Sequence, residues 1–326
     1  MKTTIGIDIG GTAAKMGVVS ESGEVLQRKE VPIQHDQAAE ILIENIDLKI
    51  DHLVRWSGTK NLPLMGLGVS VCGYLDQAGE RLDYINIHAL DNFPLKDHLE
   101  HKHGIPAILD NDMNCGALGE YYFGAGKGVD RLMVMTIGFG IGMGVIVDGD
   151  VVRTNSGTTG NPGHIIVEPD GPYCTSGCRG CLEAVASSDP ISRMAENLAR
   201  SQRKTLLADK LAARGSLTPE DLFHAAEEGD EPAQRIWEQV GTWLGRGLIG
   251  WVEIFGPQVV LVGGGVANAG HWLLDPIERE MRKAGEPYFM RGVREIKPAM
   301  LGRDATMLGA ASLFLNPDTA PSYNYG

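Results

Sequence analysis

Three thiols and an imidazole are the densest chemistry in this chain. His164 is followed by Cys174, Cys178 and Cys181, the last two forming a C-x2-C pair. One imidazole and three thiolates complete a tetrahedral zinc set, and a set with no ligand position left for water is structural rather than catalytic. Carboxylates come next. Asp8 ends an apolar run and opens Asp8-Ile9-Gly10-Gly11-Thr12-Ala13-Ala14-Lys15. Paired glycines let a backbone turn tightly and aim N–H groups at an anion, Thr12 adds a hydroxyl and Lys15 a charge. Asp8 is placed to hold a water of Mg2+ or to position a phosphate. A plain β-hairpin with a Gly-Gly turn reads equally well from these residues. The segment is neither a Walker loop nor a GxGxxG dinucleotide loop. A second glycine cluster, Gly138-Phe139-Gly140-Ile141-Gly142-Met143-Gly144, follows a strand-like run, and a third, Gly263-Gly264-Gly265, ends the apolar run 259–262 just before a helix expected around 270–283. The first of these suits close approach of a charged or flat ligand, and the second suits a nucleotide at a helix start. Asn111-Asp112 stands in a loop after a short strand, where an Asp is ordinarily a surface residue or a helix cap.

The elements that must position these groups alternate between strand and helix. Strands are predicted at 3–9, 14–20 and 24–31, with turn residues between them, then a helix at 36–56 from the spacing of Ile41, Ile46, Ile50, Leu53 and Val54,. Strands at 64–71 and 106–109 follow, the latter running into Asn111-Asp112. The theme repeats with strands at 131–137, 142–147 and 151–153, the cysteine loop near 171–181, helices from about 182 to 255 and a strand at 259–262. Thr218-Pro219-Glu220-Asp221 reads as a helix start,. The expectation is an α/β protein of two lobes with a central ligand cleft. The smaller lobe takes 1–115, completed by a C-terminal helix at 305–316, and the larger takes 116–304 with the zinc loop.

The rest of the sequence narrows the function. With 326 residues and 43% hydrophobic content the chain buries a sizeable core,. A net charge of −13 with no basic stretch argues against a nucleic-acid partner,. No apolar run is long enough to span a membrane, and no leader is read at the N-terminus, so a cytoplasmic protein is expected. Cys115 reads as a small buried hydrophobe. His35, His88, His98, His101 and His103 read as surface residues, and Trp237, Trp243, Leu244, Leu248 and Trp251 as core or subunit contact. The tail 317–326 reads as frayed and polar.

Taken in order, the motifs resemble the ROK family of sugar kinases and repressors over nearly the whole chain. The matching segments are DIGGT at 8–12, GVSVCGYLD at 68–76, NDMNCGALGE at 111–120, GFGIGMG at 138–144, GH at 163–164 with GCRGCLE at 177–183, and VVLVGGGV at 259–266. The resemblance implies an actin-like ATPase (ribonuclease H-like) fold. It implies ATP with Mg2+, a structural zinc and a homodimer. It implies phosphorylation of a hexose or amino-hexose, with the 6-hydroxyl as acceptor and Asp112 as general base. Gly73, Asn111, Asp112, Asn161, His164 and Glu183 would face the sugar. Asp8, Gly10, Gly11, Thr12, Lys15, Gly138, Gly140, Gly142, Gly264 and Gly265 would hold ATP, and His164, Cys174, Cys178 and Cys181 the zinc.

Four positions depart from the family pattern. Phe139 stands where a Thr is usual, Asn161 where a Glu is usual, Cys72 where a Pro is usual, and Ser176 where the middle zinc Cys is usual, with Cys178 in its stead. Phe139 and Asn161 leave a second reading open, a sugar-binding or regulatory relative without turnover. An enzyme of altered chemistry that no longer uses ATP is a third, against which the glycine triplet argues. The family's repressors carry helices ahead of the first phosphate strand. This chain opens at that strand, so a DNA-binding repressor is not expected.

Overall fold

Every side chain of β1 (Thr3–Ile9) is buried, the mark of a central strand,. Gly10 and Gly11 turn the chain into β2 (Ala13–Ser20), and β3 (Val25–Pro32) completes an antiparallel meander. α1 (Ala39–Thr59) turns Leu42, Ile43, Ile46, Ile50 and Leu53 inward at helical spacing,. β4 (Leu64–Val71) then runs parallel to β1. A small hairpin of β5 (Gly73–Leu75) and β6 (Leu82–Ile85) follows, then α2 (Leu95–His103), β7 (Ala107–Asn111) parallel to β4, and α3 (Asp112–Phe123). The first sheet has the order β3-β2-β1-β4-β7.

The second half repeats this plan. β8 (Arg131–Ile137), β9 (Ile141–Val147) and β10 (Asp150–Val151) lead to α4 (Leu182–Ala186), α5 (Ser188–Ser201), α6 (Leu207–Arg214), α7 (Pro219–Glu227) and α8 (Glu231–Phe255). β11 (Val259–Gly263), α9 (His271–Lys283), β12 (Glu295–Pro298) and α10 (Ala305–Leu315) complete the chain. The second sheet has the order β10-β9-β8-β11-β12, the same third-second-first-fourth-fifth sequence of strands as the first.

This computed structural model describes residues 1–34, 37–76, 78–85, 87–154, 157–201, 205–284, 292–316 and 321. His35 and residues 317–320 and 322–326 of the polar tail lie outside them. The chain divides into two compact units. One holds Met1–Leu132, Gly144–Gly160 and Met300–Gly326, and the other Met133–Met143 and Asn161–Ala299.

In the first unit α10 lies directly on β4 and α3, which missing side chains permit. A Cβ on Gly68 would sit 1.8 Å from the Ala310 carbonyl oxygen, and one on Gly309 would sit 1.7 Å from that of Cys115. Close backbone approach of this kind fixes α3, and with it Asp112, against the sheet.

One surface assignment is corrected. The His103 side chain is fully buried, with Nε2 2.9 Å from Asp47 Oδ1 and Nδ1 2.9 Å from Asp51 Oδ1. His98 Nε2 adds a contact of 2.8 Å to Asp47 Oδ2, so the polar helix α2 is drawn onto α1 by two carboxylates one turn apart,. His88 and His101 are exposed as expected, Trp237 and Cys115 are fully buried, and Trp243 and Trp251 are half-buried. Among the described residues no helix is long and apolar enough to cross a membrane.

Candidate active site

The first unit brings together Asp8, the Gly10–Thr12 turn, Lys15, Gly73, Asn111 and Asp112. The hairpin reading of the first glycine motif holds: β1 and β2 pair antiparallel, with Asp8 across from Lys15. Gly10 N–H donates to Ala13 O at 3.2 Å, and the Thr12 carbonyl accepts from Ile33 N–H at 2.9 Å. Asp8 is buried, 3.6 Å from Lys15 Nζ, with the Ser70 hydroxyl 3.4 Å away. Burial raises its carboxyl above the ordinary value, although a Thr306 hydrogen bond and the Lys15 charge pull the other way,.

Asp112 is the first residue of α3. Asn111 caps the helix, its Oδ1 accepting from Met113 N–H at 2.9 Å, while its Nδ2 donates to the Gly73 carbonyl at 2.8 Å,. Both polar atoms of the Asn111 amide are thereby engaged within the fold. Asp112 is half-buried, and burial pushes its carboxyl up to about 6. A Cys72 hydrogen bond opposes that shift and the Asp8 charge adds to it.

The second unit brings together the second and third glycine segments, Asn161, His164 and Glu183. Gly138 N–H donates to Gly140 O at 2.9 Å, and the Gly138 carbonyl accepts from Ser188 N–H at 2.8 Å. Glu183 Oε2 accepts from Ile141 N–H at 3.1 Å, and a Cβ on Gly140 would meet that same oxygen at 2.8 Å. Gly142 follows within β9. Gly264 adopts φ +86°, and a Cβ there would lie 2.3 Å from Ile137 O, so only glycine serves,. Gly265 opens the 3-10 turn that leads to α9.

A cavity of about 500 Å³ is lined by Gly138, Phe139, Ser188, Thr218, Phe223, Trp237, Gly265 and Asn268 among others. Phe139 is 79% exposed. The sequence reading missed Ser188, Thr218, Phe223 and Asn268. Their one signal was the helix start at Thr218, whose capping box is present.

The metal set is assembled as expected. His164 Nδ1 lies 3.9, 3.5 and 3.8 Å from the sulfurs of Cys174, Cys178 and Cys181. With metal–sulfur bonds of ~2.3 Å and metal–nitrogen bonds of ~2.0 Å, a regular tetrahedron puts nitrogen and sulfur about 3.5 Å apart. The Cys174 and Cys178 sulfurs are 3.1 Å apart, and all four ligand atoms lie within 4.8 Å of one another. Backbone bonds shape the loop: Cys174 N–H donates to Cys178 O at 2.9 Å, and Val167 N–H to Gly180 O at 3.0 Å.

Burial raises the Cys174 thiol, but hydrogen bonds from Cys178 and Cys181 outweigh it and bring it to about 7. Burial and its two sulfur neighbours push Cys178 up to about 12, and burial raises Cys181 too. Left alone, such a cluster resists holding three negative charges, so three thiolates call for a cation at its centre. Asn161 precedes the 3-10 turn Pro162–His164, and its carbonyl accepts from His164 N–H at 3.1 Å.

Comparison with known proteins places the chain. The sequence profile of the ROK family matches residues 4–316. A glucokinase of Thermotoga maritima is 34% identical over 95% of this chain and 96% of its own length. The structure of a ROK family glucokinase from Streptomyces griseus, in complex with glucose and AMPPNP, matches with a TM-score of 0.76 at 32% identity, covering 96% of this chain and 99% of that one. A xylose repressor of Bacillus subtilis is 26% identical over 96% of this chain and 77% of its own length.

Proposed function

The chain belongs to the ROK family, has the actin-like ATPase fold and is a sugar kinase. We propose that it transfers the γ-phosphoryl group of MgATP to a hexose or amino-hexose, at the 6-hydroxyl, with Asp112 as general base. The observation that carries this reading is Asp112 itself: a half-buried carboxyl on the first turn of α3 whose proton affinity is raised to about 6. A base that titrates just below neutrality is ionised at working pH and still accepts a proton from an attacking hydroxyl. Phosphoryl transfer otherwise needs positioning and charge stabilisation. In this reading Gly10, Gly11, Gly138, Gly140 and Gly142 let the backbone approach the phosphates closely, Thr12 and Lys15 supply a hydroxyl and a charge, and Asp8 orients them. Gly264 and Gly265 let the nucleotide approach the start of the turn after β11.

Gly73, Asn111, Asn161, His164 and Glu183 face the sugar in this reading. His164, Cys174, Cys178 and Cys181 hold zinc, which has a structural role: it fixes the ring of His164 so that Nε2 is presented to a sugar hydroxyl.

The experiment is ADP release from MgATP against hexoses, amino sugars and N-acetylated sugars. Turnover with one sugar names the substrate. One observation favours a second reading, a sugar-binding relative without turnover. Phe139 puts an exposed ring where the family has a hydroxyl, and the same assay decides it. Sugar-induced thermal stabilisation with no ADP from any sugar would select that reading.

A further inference from the structure

Arg153 belongs to none of the motifs above, yet its guanidinium is buried against the segment that carries the base. Its side chain is 12% exposed, and Nη2 donates to Oδ2 of Asp110 at 2.5 Å. Asp110, at the end of β7, is 1% exposed. Its Oδ1 accepts from the Asn111 backbone N–H at 2.8 Å and from Asn114 Nδ2 at 2.7 Å. Asn114 turns its other amide hydrogen to the Gly157 carbonyl, also at 2.7 Å. The chain after β10 is itself tied down. Val152 N–H donates to Val145 O at 2.8 Å, Thr154 N–H to Thr158 O at 2.7 Å, and the Thr159 hydroxyl to Val152 O at 3.1 Å. Asp110 and Asn114 stand two residues before and two residues after Asp112. Both are thus fastened to the segment after β10, one through Arg153 and one through Gly157.

We propose that Arg153 is a positioning residue for phosphoryl transfer: it locks the backbone on both sides of Asp112, and its charge offsets the carboxylates gathered around the base. The groups that act on Asp112, or share its neighbour Cys115 on α3, are Asp8 on β1 with its partners Lys15 on β2 and Thr306 on α10, Cys72 after β4, and Asp110 on β7. Of the three acids, two hold cations among the described residues: Asp8 is paired with Lys15 and Asp110 with Arg153. The Cys115 thiol registers all three acids, being raised first by burial and then by Asp110, Asp8 and Asp112. Without Arg153, Asp110 is a buried acid with no ion-pair partner among the described residues, and ionisation of Asp112 two residues away becomes harder,.

The test is the pH profile of kcat/KM, with thermal melts, for Arg153→Met, Arg153→Lys and the double variant Asp110→Asn/Arg153→Met. In Arg153→Met the acid limb is expected to move up by about one pH unit, and plateau kcat to fall about ten-fold or more. Arg153→Lys returns the limb towards wild type. The double variant, with neither buried charge, returns the limb as well while kcat stays low. An unmoved limb in folded Arg153→Met, whatever its melting temperature, would overturn the proposal. So would a double variant that keeps the shifted limb or turns over at the wild-type rate, and this arm stands even if Arg153→Met does not fold. The proposal rests on Asp112 being the base. If that reading fails, the wild-type enzyme shows no acid limb and Asp112→Asn turns over, whichever way Arg153 behaves.

Discussion

The raised carboxyl of Asp112 makes a quantitative demand on the enzyme. Its usual value is 3.8, and burial with the Asp8 charge brings it to about 6. A base acts only when ionised. With a value of about 6, roughly nine-tenths of the enzyme is competent at pH 7, roughly one-tenth at pH 5 and roughly one-hundredth at pH 4. An unshifted Asp would remain more than nine-tenths ionised at pH 5. The assay is initial-rate ADP release from pH 4.5 to 8 at limiting sugar, since kcat/KM reports ionisation in the free enzyme.

The account expects about a ten-fold loss between pH 7 and pH 5. Asp8→Asn removes a charge that raises Asp112, so in that variant the limb moves to lower pH,. The sign for stability is opposite. The folded state binds this proton more tightly than the unfolded chain, so the Asp112 contribution to stability is present below about pH 4 and is lost as pH rises through about 6,. A limb near pH 4, or one that disappears in Asp8→Asn, would refute the assignment to Asp112.

Metal analysis of the purified protein should find about one zinc per chain, and Cys178→Ser should lose it together with several degrees of melting temperature; protein purified without metal removes the zinc assignment. Phe139→Thr restores a hydroxyl to the second phosphate loop and should raise kcat/KM for ATP about ten-fold, the worth of one hydrogen bond to a charged group; an unchanged value means the loop does not meet phosphate. Gly264→Ala forces a Cβ to 2.3 Å from Ile137 O at φ +86°. It should cost roughly 1–3 kcal/mol and weaken ATP binding, as read by melts with and without nucleotide; wild-type stability in that variant would contradict the close packing described at this turn.

Much of the fold was legible because its strands are short, apolar and bounded by glycine. The runs 64–71 and 131–137 are β4 and β8 residue for residue. The Thr218 helix start is a full capping box. Among the elements missed are two polar ones. β12 is Glu-Ile-Lys-Pro at a sheet edge, and α2 is mostly charged and His-rich, so neither carries a hydrophobic period,. His103 was misplaced for the same reason: its burial is set by Asp47 and Asp51, about fifty residues away, and no local pattern encodes that pairing.

At the site, the cysteine spacing pointed to the cluster that His164, Cys174, Cys178 and Cys181 form, because all four lie within one short stretch of chain. The cavity lining of Ser188, Phe223 and Asn268 was not legible, because three separate elements supply it. Arg153 was equally hidden, since its partner Asp110 is 43 residues distant.

Asp112→Asn, assayed for sugar binding and for turnover on the same preparation, tests the central claim most directly. The substitution keeps the size of the side chain and removes the base. The account predicts a sugar dissociation constant within a few-fold of wild type and a kcat lower by about 10²–10⁴-fold. Turnover at the wild-type rate would contradict it, and so would a loss of sugar binding as large as the loss of rate.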